Sequence, residues 1–177
     1  VMIFCPLKVN STLIPFNIFK LLSTTAAIMF GAYEAGFILR GGVDVGTATK
    51  MESSIYGPVL HQVYSLESKV ADYPRIVIGK IFWDYLEYLK SGGAYKIGSN
   101  DFKAISAISE CIKMMLGKDV DNKYILDYLN KENVKAYETS MAKETIVKTY
   151  KFIKTELNRF EQNCNIKLVL KYNKLKK

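Results

Sequence analysis

An α/β fold with helices packed on a sheet, followed by a mainly helical C-terminal part, is the architecture this sequence predicts, on three observations. Strand-like and helix-like patterns alternate from Val1 to the glycine-rich loop at Ser91–Asn100. Beyond that loop the apolar residues fall almost throughout at helical spacing. Apolar residues make up 49% of 177, enough for a chain of this length to bury most of the surface that its unfolded form exposes.

Val1 to Leu7, VMIFCPL, is a short apolar run closed by proline, and it reads as a buried strand continuing from residues that precede Val1. From Leu13 to Tyr33 apolar residues surround the axis almost completely and Pro15 suits a first turn, so a helix buried against the sheet is expected. Lys20 and Glu34 leave 13 uncharged residues between them. That is short of the roughly 20 that a bilayer needs, so a core position is expected, with no membrane partner. No basic region precedes the helix, and a signal peptide is not expected.

Phe37 to Val45 switches to strand patterning, with Gly41, Gly42 and Gly46 permitting a bulge or a close backbone approach. Gly57-Pro58 announces the next helix, with a buried stripe of Val59, Val63, Leu66 and Val70 widened by Leu60 and Tyr64. Tyr73-Pro74 ends it, and Arg75 to Ile78 supplies a β-branched strand. Ile81, Phe82, Tyr85, Leu86 and Leu89 form another amphipathic stripe, opposite Asp84, Glu87 and Lys90.

The loop SGGAYKIGSN is the natural internal boundary, dividing a domain over 1–98 from a helical extension over 99–177 packed on it. In that extension Phe102, Ile105, Ile108, Ile112 and Met115 mark one helix, and Ile146, Tyr150, Ile153, Leu157 and Phe160 another. Between them lies a short apolar segment, Tyr124 to Leu129.

Composition excludes several kinds of chemistry. Cys5, Cys111 and Cys164 are odd in number and far apart, so they form neither a disulfide framework nor a CxxC pair, and a reducing, cytoplasmic setting is expected. His61 is the only histidine, which leaves no His/Cys set for a transition metal and no Ser/His/Asp triad. A metal here would have to be a hard cation held by carboxylates. Of the net charge of +8, the excess lies in residues 150–177, which carry 8 basic and 2 acidic groups. These lysines fall on the outer face of a helix and read as a solvated face, with no nucleic-acid partner expected.

The chemistry-bearing stretch is Arg40 to Gly79, RGGVDVGTATKMESSIYGPVLHQVYSLESKVADYPRIVIG, which patterns as strand, turn, helix, strand. His61, Ser65 and Ser68 lie at i, i+4 and i+7 on the non-buried side of its helix. Such a row can present hydrogen bonds to a ribose or a phosphate chain, or it can simply be the solvent face of an amphipathic helix. Asp44 points away from Val43 and Val45 and, being solitary, is a poor metal ligand. Arg40 reads as a brace for its strand.

In this stretch the chain resembles the class III nucleotide cyclases. RGGVDVG matches their strand, Ile55-Tyr56-Gly57 their aromatic-glycine turn, and Leu66-Glu67-Ser68 their helix end. GPVLHQVYSLESKVADYPRIVI is similar in particular to the bacterial pyrimidine cyclases of Pycsar antiphage systems. The resemblance implies a ferredoxin-like cyclase sheet flanked by helices and a head-to-tail homodimer. It also implies conversion of a nucleoside triphosphate, UTP or CTP, into a 3',5'-cyclic monophosphate and pyrophosphate. The alternative is a non-catalytic homologue that binds nucleotide or dimerises.

By position, the resemblance makes Ser54 the base-reading residue, with Tyr56 and Lys69 also at the substrate. It sets His61 and Ser65 where the family carries its transition-state asparagine and arginine. Ser65 supplies no cation, so Arg75 is the first candidate to replace that arginine, ahead of Lys50 and Lys69. A structural ion pair of Arg75 with Glu67 or Asp72 has equal standing on spacing alone. The family's divalent metal, Mg or Mn, is held by two aspartates that the resemblance places before Val1, so no metal ligand is expected within this chain.

Overall fold

A computed structural model describes residues 2–7, 14–52, 54–91, 98–130 and 140–173. The fold is mixed α/β, with a small sheet covered by helices and a helical C-terminal part. Helix α1 runs Ile14–Glu34, followed by strands β1 (Gly41–Val43), β2 (Thr49–Met51) and β3 (Ser54–Tyr56). Helix α2, Pro58–Ser65, continues into a π-helical turn over Leu66–Val70, then strand β4, Ile76–Ile78, and α3, Lys80–Lys90. After α4 (Asn100–Met114) come β5 (Leu116–Lys118), β6 (Tyr124–Leu126), α5 (Ser140–Gln162) and α6 (Ile166–Asn173).

The main sheet has the order β1-β4-β6-β5, with β1 and β4 parallel and the other pairs antiparallel. A parallel pair needs a crossover, and here the β2–β3 hairpin and α2 provide it. Strands from both sides of the Ser91–Asn100 loop share this sheet, so the chain division at the loop is not a division of the sheet. Residues 92–97 lie outside the described residues.

Helix α1 buries one line of side chains, Ile18, Leu22, Ala26, Met29 and Tyr33, against α4 and α5. Fully burying one such Leu or Ile is worth about 1.5–3 kcal/mol. The helix stops where Gly36 takes a φ of 80, letting the Phe37 amide reach the Ala32 carbonyl at 2.8 Å and the Gly36 amide the Tyr33 carbonyl at 3.1 Å. This is a Schellman ending, and it needs a residue that tolerates the left-handed region. By length and composition α1 is also apolar enough to cross a membrane, but its inward line is the centre of the core.

That core joins α1, α3 and α4 to one face of the sheet through Ile76, Ile78, Leu116 and Leu126. Tyr33 on α1 and Tyr128 after β6 share a buried hydroxyl bond of 2.8 Å. Trp83 of α3 stacks on Tyr124 of β6 with ring centres 3.8 Å apart, and Lys113 lies over its ring. A second cluster, Tyr73, Ile153, Leu157 and Phe160, ties α5 to the entry of β4.

Two expectations are corrected. Met2–Leu7 is not a strand: Met2, Ile3 and Phe4 are exposed, and only Leu7 packs on the core. An apolar run becomes a buried strand only beside a partner ladder, and no described strand pairs with this one. Val1 lies outside the described residues. The strand expected over Phe37–Val45 shrinks to Gly41–Val43 because its partner β4 is short and begins just after Pro74, which has no amide to offer. Phe37, Ile38 and Leu39 are left exposed.

Candidate functional site

The wall formed by β1, the β2–β3 hairpin and α2 depends on two glycines. Gly57 adopts a φ of 152, and a Cβ there would sit 2.4 Å from the Thr47 carbonyl oxygen. This close pass brings the hairpin end directly into Pro58, which occupies the first turn of α2, where its missing N–H costs nothing. A Cβ on Gly42 would lie 2.6 Å from Leu66 Cβ and 2.9 Å from the Val63 carbonyl. Only hydrogen at that position lets α2 settle on β1.

The expected stripe Val59, Val63, Leu66 and Val70 does turn inward, but each residue is half-buried, and Tyr64 is 66% exposed. One thin helix covers this face of the sheet, and nothing described covers the helix.

Of the candidate residues, His61 is exposed and Ser65 half-buried, one turn apart on α2. Ser54 and Tyr56 are exposed on β3, two positions apart and therefore on one face of the hairpin, with Tyr56 opposite Thr49 and Ser54 opposite Met51. Lys50 is exposed on β2, paired with Ile55 on the other face. Lys69 is exposed within the π turn.

The row of His61, Ser65 and Ser68 is broken by the π turn. The Ala71 amide reaches back to the Leu66 carbonyl at 2.8 Å, one residue further than in an α-helix. Ser68 turns its hydroxyl onto the Tyr64 carbonyl at 2.7 Å. His61 and Ser65 therefore remain as the aligned pair.

Arg40 braces as expected, with Nε 2.6 Å from Glu67 Oε1. Arg75 has the structural task that spacing set level with the catalytic one. Its side chain is 4% exposed and pairs with Asp119 at 2.7 Å, Asp121 at 2.7 Å and Asp72 at 3.3 Å. It also donates to the Val70 carbonyl at 2.8 Å and lies over the Tyr73 ring. Its Nε is buried without a partner among the described residues. A guanidinium so enclosed is not presented to a phosphate on the α2 surface.

The same guanidinium holds the Asp121 carboxyl below its ordinary 3.8, through its hydrogen bond first. Burial, followed by the charge of Asp119, pushes Asp127 the other way. Arg75, Asp119 and Asp127, with Tyr73, Lys118 and Tyr128, line a cavity of about 110 Å³.

Asp44 was passed over by sequence reasoning in its true task. Its Oδ1 accepts from the Phe82 amide at 2.8 Å and the Val45 amide at 2.9 Å. Phe82 is the third residue of α3, so Asp44 caps that helix from just past the end of β1, in place of Gly79, which has no side chain to do so. A Cβ on Gly79 would fall 2.2 Å from the Asp44 carboxyl.

Among the described residues no three His, Cys, Asp or Glu side chains converge as a metal-binding set. With Asp44 given to a cap and Asp119 and Asp121 to Arg75, the side chains of this wall do not fit a divalent ion. No family model, curated protein or solved structure matches the chain.

Proposed function

We propose that this chain carries the nucleotide-facing wall of a class III nucleotide cyclase of the Pycsar kind. Its reaction is the conversion of UTP or CTP into a 3',5'-cyclic monophosphate and pyrophosphate, as a cytoplasmic head-to-tail homodimer in antiphage defence. The observation that carries the reading is the unit Arg40–Gly79. A parallel strand pair is crossed by a hairpin bearing Ser54 and Tyr56, which runs straight into a helix with an exposed His61 and a half-buried Ser65 aligned one turn apart.

In this reading Ser54 meets the base edge, Tyr56 offers its ring to the base, and His61 and Ser65 donate to phosphate oxygens while Lys69 supplies positive charge. The ribose 3'-oxygen bonds to the α-phosphorus, the bond to the β-phosphate oxygen breaks, and the 3'-proton leaves to solvent. A divalent ion supplies charge neutralisation in phosphoryl transfer generally. Among the described residues the side chains of this wall form no set that would hold one.

The test is to incubate the full-length protein, with the residues to which the resemblance assigns the metal aspartates, with manganese and each of the four nucleoside triphosphates and to separate the products. A cyclic pyrimidine monophosphate is expected, reduced about tenfold or more by Ser65→Ala. Absence of cyclic product from every triphosphate would sink the catalytic reading.

A second reading, a non-catalytic homologue that binds nucleotide or dimerises, is favoured by the enclosure of Arg75 and the pairing of Arg40 with Glu67, which among the described residues leave the exposed Lys50 and Lys69 as the cations this wall offers a ligand. Calorimetric binding of UTP or CTP without turnover would select it.

A further inference from the structure

Arg75 ties together two pieces of chain that are remote in sequence. One is the end of the candidate site: Nη2 donates to the carbonyl of Val70, the last residue of the π turn, at 2.8 Å, and approaches Asp72 at 3.3 Å. The other is the turn between β5 and β6, where both Nη atoms reach Asp121, at 3.0 and 2.7 Å, and Nη1 reaches Asp119 at 2.7 Å. That turn is itself shaped, with the Asp119 amide on the Lys123 carbonyl at 2.9 Å and Asn122 at a φ of 61. The Arg75 and Asp119 side chains are 4% and 5% exposed. Water therefore competes little for the Arg75–Asp119 bond, whereas Asp121 is 38% exposed and holds the guanidinium through two parallel hydrogen bonds, an arrangement that fixes its geometry.

A π turn needs outside support, because its hydrogen bonds span one residue too many for regular helix. Here the support comes from Arg40 on Glu67 and from Arg75 on Val70. We infer that the β5–β6 turn positions the candidate site: Asp119 and Asp121, acting through Arg75, hold the Val70 carbonyl and so fix the π turn that orients Ser65 and Lys69. The aspartates are positioning residues that touch no ligand. The inference deepens the proposed nucleotide-binding role of α2 and rests on that reading only for its binding measurement.

The experiment compares the wild-type chain with Asp121→Ala, Asp119→Asn and, as a control on the same turn, Val120→Ala. Arg75 variants are avoided because removing a buried cation among carboxylates threatens folding itself. Amide exchange at Ala71, whose bond closes the π turn, should quicken about tenfold or more in the Asp121 and Asp119 variants, with α1 and α3 amides changing less than about twofold. Val120→Ala should leave Ala71 unchanged.

Unchanged exchange at Ala71, or an equal rise in α1 and α3, would overturn the inference, the latter because it reports only lost global stability. In the same variants UTP affinity by calorimetry should fall several-fold. If the wild-type chain binds no nucleotide, the cyclase reading fails while the exchange data still decide the coupling.

Discussion

At the scale of single residues, Asp44 and Gly79 show how one side chain can be exchanged for the absence of another. Gly79 stands at the start of α3 in extended backbone, φ −70 and ψ 156, where a serine could cap the helix locally. Asp44 already occupies that space. Asp44→Ala alone should cost about 1 kcal/mol through the lost cap. Gly79→Ser alone should also destabilise, because its Cβ displaces the carboxyl. Combined, the two should recover most of the loss, since the serine then has room and a free Phe82 amide to accept from. Urea unfolding of the three variants measures this, and additive losses in the double variant would disprove the exchange.

At the scale of elements, α1 is the chief organiser of the core, and its middle is the place to test that. Leu22 is fully buried between α1 and its neighbours, so Leu22→Ala should cost about 2–5 kcal/mol, read as a lowered midpoint in thermal unfolding. An exposed position on the same helix such as Phe16, at 42%, should lose far less.

Helices like this were legible in the sequence because their evidence is local. Ile146, Ile153, Leu157 and Phe160 recur at helical spacing, and all four are buried. Tyr150 stood in the same expected row, but it lies on the outer side and Thr149 takes the buried place. The strands were less legible, since three residues of Leu116–Lys118 give too little alternation to read, and they pair only through Tyr124–Leu126. Least legible of all was the destination of Arg75. Its partner Asp121 lies 46 residues away, beyond the reach of any local pattern. The candidate site residues were read from a motif, and the structure places Ser54, Tyr56 and His61 at exposed positions and Ser65 at a half-buried one along consecutive elements. The motif did not carry the cap at Asp44, which depends on how two parallel strands register.

At the scale of the whole molecule, strands from both halves of the chain share one sheet, so electrostatics in the C-terminal hairpin bear on global stability. Asp127 illustrates the sign. Its folded pKa is raised above the ordinary 3.8 by burial and by Asp119, so the folded state holds the proton more tightly than the unfolded one. The burial penalty is absent below about 3.9, sets in as pH rises toward the folded value, and is complete above it. Asp127→Asn removes the charge, so its stability relative to wild type should climb over that window and then level off. Unfolding curves between pH 3 and pH 8 would show it, and a constant difference would contradict the assignment.

The stacking of Trp83 on Tyr124 has one more consequence. Trp83 is the only tryptophan in the chain, so its fluorescence is a built-in reporter of whether α3 and the β5–β6 hairpin are still docked. Light emitted from that one ring would distinguish a hairpin that detaches early from a molecule that melts as a unit, without any label being attached.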